Sequence, residues 1–235
     1  MLNLDGLKKY HGGFLGLEKR PFISENLYRK LAENFPNEEY FRYSGGSLGG
    51  TATRGILSND EDPRQFEEFL RSDSGKAWEG FLKYIDSDLF VGQLRERIGA
   101  FELLWYRGFQ GVLALRPWRK VTYGEIKTRS FSVTDIFFQK YNIGFTFSLA
   151  GDGSFLAPHT DGSSKYMTLL FYFPFNHEEK FIQRAGTVLY GLDNSKWTHG
   201  VAGENPTSSE FRVRKRFEYQ SNLMVCEPLS TNIIF

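Results

Sequence analysis

The sequence has one cysteine, Cys226, among its 235 residues. A single thiol excludes an internal disulfide and any metal site built from several cysteines. The N-terminal segment MLNLDGLKKYHGGF lacks the apolar core of a secretory signal. No apolar run reaches the roughly 18 residues that a membrane-spanning helix needs. The sequence therefore predicts a cytoplasmic protein that does not act on a membrane.

The chain also lacks an excess of positive or negative charge. Its 29 Lys and Arg residues nearly balance its 28 Asp and Glu residues, and the net charge is +1. Nucleic-acid-binding proteins carry a basic surface, so nucleic acid is not an expected partner. The densest basic run, Arg212–Arg216, alternates with Phe211, Val213 and Phe217, which predicts one solvated face of a strand. Aromatic residues, in contrast, make up 17% of the chain, and 23 Phe residues favour a core built from strands.

Apolar residues at helical spacing dominate the first hundred residues. They predict four helices, defined by Ser24 with Leu27, Leu31 and Phe35; by Asp62 and Pro63 with Phe66, Phe69 and Leu70; by Trp78 with Phe81, Leu82 and Ile85; and by Leu89 with Phe90, Leu94 and Ile98. Residues 41–61 are rich in Gly, Ser and Thr and predict a loop.

Short aromatic and β-branched segments follow from residue 118 onward and predict strands. The predicted strands are Arg119–Ile126, Ser130–Phe138, Ile143–Ala150, Tyr166–Phe173, Thr187–Leu192, Phe211–Tyr219 and Leu223–Cys226. Helices first and strands afterwards predict an α+β protein in one integrated domain. A helical region of residues 1–117 would pack outside a jelly-roll core of residues 118–235, whose two antiparallel sheets face each other.

His159 and Asp161 carry the most specific chemical signal. In an extended segment, residues i and i+2 point to the same side, so the imidazole and the carboxylate can converge on one metal ion. They supply two of the three ligands of the 2-His-1-carboxylate triad, which leaves positions open on non-haem iron(II). His-x-Asp pairs are common by chance, but here a Gly-rich turn and Pro158 precede the pair and an apolar strand follows it.

This segment resembles the metal-binding stretch of prolyl 4-hydroxylase-like 2-oxoglutarate/Fe(II) oxygenases. The likeness rests on Pro158-His159-Thr-Asp161 followed by Lys165 and Leu169-Leu-Phe-Tyr172. Two later segments are similar to strands of that family, namely Gly186-Thr-Val-Leu-Tyr190 and Asn222-Leu-Met-Val-Cys226. The resemblance covers most of the chain and is specific over about residues 145–226.

The resemblance implies a double-stranded β-helix, which is a relative of the jelly roll. It also implies an enzyme that couples decarboxylation of 2-oxoglutarate to hydroxylation of a small-molecule or peptide substrate by dioxygen. His159 and Asp161 would be its catalytic metal ligands, with Fe(II) as the metal and ascorbate as an optional reductant. The residues that bind 2-oxoglutarate are not identified, although Phe171 or Tyr172 is a candidate for lining its pocket, and Lys165 is a weaker one.

The family's third metal ligand is a second His about a dozen residues after the Asn-led strand begins. Counting from Asn222 reaches Phe235, and the sequence has no His in residues 223–235. In one interpretation the natural chain continues, so that this chain is truncated and inactive; in another, His199 serves as the ligand. A degenerate relative that keeps the fold as a scaffold is a third interpretation, and a non-catalytic jelly-roll binding module is the rival from another class. His11 and His177 are predicted to be solvated loop residues.

Overall fold

The computed structural model describes residues 4–11, 15–45, 53–99, 116–122, 137–150, 167–173, 186–192, 211–228 and 233–234. The helices are α1 (Glu25–Glu33), α2 (Pro63–Arg71), α3 (Asp73–Ile85) and α4 (Asp88–Ile98), with a 3-10 helix at Glu38–Tyr40. The strands are β1 (Lys8–His11), β2 (Leu15–Lys19), β3 (Arg42–Gly45), β4 (Thr53–Ser58), β5 (Trp118–Lys120), β6 (Gln139–Tyr141), β7 (Thr146–Ala150), β8 (Met167–Tyr172), β9 (Gly186–Leu192), β10 (Phe211–Glu218), β11 (Leu223–Pro228) and β12 (Ile233–Ile234).

The four predicted helices are confirmed, and capping residues explain where three of them begin. The Asp62 side chain accepts a hydrogen bond from the Gln65 amide at the start of α2, and Pro63 is the first helical residue. Ser72 and Ser87 accept equivalent bonds at the starts of α3 and α4. Each cap satisfies a backbone donor that the first turn of the helix would otherwise leave unpaired.

The chain forms two compact units. The first contains residues 1–33, 44–54 and 150–235, and the second contains residues 34–43 and 55–149. Each unit has both helices and strands. The division therefore does not follow the predicted boundary between a helical region, 1–117, and a strand core, 118–235.

Two antiparallel sheets make up the strand framework of the first unit. One sheet has the order β1-β2-β11-β8, and the other has the order β10-β9-β12. Tyr172, Leu223 and Val225 from the first sheet share a buried cluster with Leu189 and Phe217 from the second. The two sheets therefore face each other across an apolar interior. In the described part of the chain they do not close into a barrel.

The outer face of the four-stranded sheet is covered by α1 and the segment before it. The ring centroids of Phe22 and Phe171 lie 5.0 Å apart, and those of Tyr28 and Phe173 lie 5.3 Å apart in a stacked arrangement. Rings in these geometries gain more than area burial alone provides. The sheet is thus covered on both faces at β8, whereas β1 at its other edge is mostly exposed.

The prediction of a mainly helical first half was wrong in four places, where β1 to β4 form. Leu15, Gly16 and Leu17 of β2 are all buried, so this inner strand, between β1 and β11, is covered on both faces. Such a strand shows no alternation of apolar and polar residues. Strands β3 and β4 replace part of the loop predicted for residues 41–61, because they join β7 in a sheet of order β3-β4-β7. The pairing of β4 with β7 joins segments far apart in the sequence, and it leaves no local signal.

A second correction concerns the strands that follow residue 118. Strands β5 and β6 pair in parallel, with Trp118 opposite Gln139 and Lys120 opposite Tyr141, although antiparallel pairing was predicted. A parallel pair needs a long crossover connection, and residues 121–138 supply one. The strand predicted at Ser130–Phe138 lies outside the described residues except for Phe137 and Phe138, and β6 begins at Gln139.

Aromatic rings build the core of the second unit around Phe147 of β7. The centroid of this ring lies 4.8 Å from Trp78, 5.4 Å from Phe69 and 5.5 Å from Phe35. Helices α2 and α3 are thereby fixed to a strand through large apolar side chains, which accounts for part of the high Phe content. Among the residues that the structure describes, no helix has the length and apolar character needed to cross a membrane.

Candidate functional site

The two predicted metal ligands, His159 and Asp161, lie outside the described residues, as do Lys165, His177 and His199. The segment that carries His159 and Asp161 runs from the end of β7 to the start of β8. Across the described ranges, no three His, Cys, Asp or Glu side chains lie close enough together to hold a metal ion. The metal pair therefore stays a prediction from the sequence, and the described geometry begins with β8.

Strand β8 presents Tyr172 to the interior between the two facing sheets. Tyr172 is buried in the cluster that both sheets share, and Leu170, two residues earlier, packs against that cluster. Phe171 points to the opposite face, where it contacts Phe22. Of the two residues predicted as candidates for the co-substrate pocket, Tyr172 is thus the one that faces the interior.

A polar contact inside this apolar interior joins the two sheets. The hydroxyl oxygens of Tyr172 on β8 and Thr187 on β9 share a hydrogen bond of 2.5 Å. The Tyr219 ring packs against Tyr172 with centroids 5.1 Å apart. Burial raises the pKa of Tyr219 to about 12, so this phenol keeps its proton at neutral pH. Hydroxyl groups in such surroundings are suited to donating hydrogen bonds to a carboxylate.

Gly186, at the start of the segment that resembles a family strand, has a steric reason for being glycine. Its φ of +132° is a conformation that residues with a Cβ rarely adopt, and an added Cβ would lie 2.1 Å from the Phe217 carbonyl oxygen. The close approach sets the register in which Phe217 lies opposite Thr187. Gly186 therefore positions the strand that carries the Thr187 hydroxyl.

Asn222, the other residue singled out by the resemblance, is a structural clamp. It is buried and has a φ of 58°. Its Oδ1 accepts hydrogen bonds of 3.1 Å from the amides of Phe22 and Ile23, and its Nδ2 donates one of 2.9 Å to the Ile23 carbonyl. The clamp joins the turn before β11 to the segment before α1.

The basic run on β10 departs from the predicted alternation. The strand has an irregular register between Val213 and Lys215, and an extra residue at such a bulge shifts the facing of those on one side of it. Val213, which alternates with the basic residues in the sequence, is itself 53% exposed. Lys215 faces inward beside Phe217, and its Nζ lies 4.0 Å from the centroid of the Tyr10 ring. The exposure of Arg212, Arg214 and Arg216 agrees with the prediction.

Tyr10 links Lys215 to a carboxylate. Burial, together with a hydrogen bond to Glu18, raises the pKa of Tyr10 to about 12. Glu18 also lies 3.5 Å from Lys8. The sequence did not indicate this inward-facing group, because the bulge that turns Lys215 inward leaves no signal in the pattern of apolar residues.

His11 and Cys226 are described, and neither has a geometry that suggests chemistry. His11 is exposed, as predicted, but it is the last residue of β1 and not part of a loop. Cys226 is fully buried in β11 opposite Leu17 and Leu169, where it packs as a small core residue.

Comparison of the chain with protein families, curated proteins and solved structures finds no match. A functional assignment therefore depends on the sequence motif and the described strand geometry.

Proposed function

We propose that this protein is an iron(II)- and 2-oxoglutarate-dependent dioxygenase with a jelly-roll core and a small-molecule or peptide substrate. The proposal depends first on the His159–Asp161 pair, because a nitrogen and an oxygen donor two residues apart suit an iron(II) site with open coordination positions. Within this sequence, His199 is the candidate for the third ligand.

The structural observation that supports this proposal best is nested strand pairing in the first unit. Strand β9 pairs with β10 in one sheet, while the flanking strands β8 and β11 pair with each other in the facing sheet. The four strands thus form an antiparallel ribbon that folds from one sheet to the other. This winding is the one that builds a jelly roll, and the His159–Asp161 segment leads directly into its first strand.

The interior hydroxyls are compatible with the co-substrate. We assign Tyr172 and Thr187 to the distal carboxylate of 2-oxoglutarate, because both project into the apolar space between the sheets and already share a hydrogen bond. A carboxylate placed there would accept hydrogen bonds strengthened by its charge. When bound, iron(II) supplies the redox chemistry that couples 2-oxoglutarate decarboxylation to substrate hydroxylation.

The metal assignment can be tested with the full-length protein, using iron(II) binding and 2-oxoglutarate decarboxylation in the presence of ascorbate. His159→Ala and Asp161→Ala should each lower turnover at least about 100-fold, because displacement of catalytic groups by even about 1 Å has effects of that size. His11→Ala and Asp73→Ala are matched controls, since both residues are exposed outside the proposed site. Turnover in His159→Ala or Asp161→Ala equal to that of the controls would refute the assignment. A folded wild-type protein that binds no iron would favour the binding module.

The co-substrate assignment needs a separate pair of variants. Tyr172→Phe should raise the KM for 2-oxoglutarate about 10-fold or more, because a hydrogen bond to a charged group contributes roughly 1.5–3 kcal/mol. Iron binding should not change. Phe171→Leu is the control, since Phe171 faces the other side of the same strand. Equal KM values for Tyr172→Phe and wild type would place the carboxylate elsewhere and leave the metal assignment intact.

A further inference from the structure

Arg119 on β5 has a buried guanidinium atom with no partner. Its Nε forms no hydrogen bond, although the atom is shielded from solvent. No other buried side-chain nitrogen or oxygen of the described residues shares this condition. Leaving a buried charged donor unpaired costs more than leaving a neutral one, so the position requires an explanation. Bound ions are a common one.

The charges around Arg119 make the missing partner an anion. Arg119 lies opposite Lys140 in the parallel register of β5 and β6. Side chains of directly opposed residues share a face of the sheet, and like charges placed in this way repel each other. An anion bound at this position would pair with the guanidinium and offset the repulsion.

Two carboxylates, Asp86 and Asp88, are used on the other face of the β5–β6 pair. Asp86 Oδ2 lies 2.5 Å from Lys120 Nζ, and Asp88 accepts a hydrogen bond from the Tyr141 hydroxyl. Trp118 shares that face with Lys120, and Arg95 lies over its ring at 5.3 Å from the centroid. These contacts hold β5 against α3 and α4, and they leave Arg119, on the opposite face, without a carboxylate from any described residue.

We propose that Arg119 binds the oxyanion of a ligand, a carboxylate or a phosphate group, at the β5–β6 pair. A guanidinium presents its donors in a planar fork that matches both kinds of oxyanion. The site lies in the second unit and requires no iron, so it is independent of the proposed oxygenase activity.

The test uses full-length protein with 15N-labelled arginine, and follows the side-chain Nε–Hε signals by NMR. Inorganic phosphate and succinate are titrated separately, each against sodium chloride of equal ionic strength. The Arg119 signal, assigned by its loss in Arg119→Lys, should shift saturably with one of the two anions and not with chloride. Saturation by phosphate alone or by succinate alone identifies the class of ligand. No saturable shift with either anion would overturn the proposal.

Affinity gives a second readout that does not depend on the assignment of one signal. Arg119→Gln should weaken binding of the effective anion about 10- to 100-fold, which is the range expected for loss of a charged hydrogen bond. Arg64→Gln is the matched control, because Arg64 is 91% exposed and pairs with Glu68. If Arg119→Gln does not fold, Arg119→Lys keeps the charge without the planar fork and should still weaken binding. Unchanged affinity in a folded Arg119 variant would contradict the assignment.

Discussion

Substitution of Asn222 tests how the turn before β11 stabilises the first unit. The Asn222 side chain is the hydrogen-bonding partner of both the amide and the carbonyl of Ile23. The Phe22 amide also bonds to the Asn222 backbone carbonyl at 3.2 Å, so it keeps a partner when the side chain is removed. The truncation therefore leaves two buried backbone groups of Ile23 without a partner.

The expected magnitude follows from these two groups. An unpaired buried group costs about 1–3 kcal/mol, so Asn222→Gly should lower the free energy of unfolding by about 2–6 kcal/mol. Asn222→Ala should lower it by about 1–2 kcal/mol more, because an alanine Cβ is strained in the left-handed conformation. The φ of 58° at this position is the reason for the difference between the two variants.

Urea unfolding followed by far-UV circular dichroism measures both variants against wild type. Gln220→Ala is the control, since the Gln220 side chain makes two exposed hydrogen bonds, accepted from Arg20 at 2.9 Å and donated to Glu218 at 2.8 Å. Their loss at the surface should cost less than about 0.5 kcal/mol. An Asn222→Ala variant within about 0.5 kcal/mol of wild type would show that water or a rearranged turn replaces the clamp. A glycine variant less stable than the alanine variant would refute the conformational part of the reasoning.

Three further predictions concern stability. Gly75→Ala should destabilise the protein by about 2 kcal/mol or more, because the added Cβ would lie 2.0 Å from the Phe69 carbonyl oxygen. On the same helix, a Cβ added at Gly80 would meet no atom within 4 Å, so Gly80→Ala should stabilise the protein by about 0.5–1 kcal/mol. Equal urea midpoints for the Gly75→Ala and Gly80→Ala variants would contradict both predictions. Tyr219 has a pKa raised by burial from 10.0 to about 12, so its contribution to stability is present below pH 10 and lost as the pH rises toward 12. Tyr219→Phe should make urea midpoints fall less steeply over that interval, and a profile parallel to wild type would argue against this assignment.

Prediction from the sequence was most accurate for elements that are specified by residues close together in the chain. Asp62 and Pro63 mark the start of α2 through chemistry confined to one turn, and the structure places the helix there. Strands β2 and β4 were missed because they pair with β11 and β7, which lie far away in the sequence. Among the described strands, β1 and β3 are edge strands whose partners are β2 and β4. The β3 and β4 sequences contain the Gly, Ser and Thr residues of a loop.

The residues of the candidate site also differ in whether the sequence alone reveals their role. His159 and Asp161 are recognisable from the sequence because their spacing alone has chemical meaning. The inward direction of Tyr172 required a structure, since every residue of β8 is at least partly buried and no alternation separates its two faces. The side chains of Lys215 and Arg119 were beyond prediction for a similar reason. One depends on a bulge, and the other on a parallel register with β6.

The sheet order β1-β2-β11-β8 has a consequence for the time course of folding. Lys19 of β2 lies opposite Met224 of β11, more than 200 residues later in the chain. At a synthesis rate of about 5–20 residues per second, the β2 strand waits about 10–40 s for this partner to be made. The second unit, residues 34–43 and 55–149, is completed within that interval. The β1–β2 hairpin therefore exposes an unpaired strand edge in the nascent chain, and such edges associate readily with other strands.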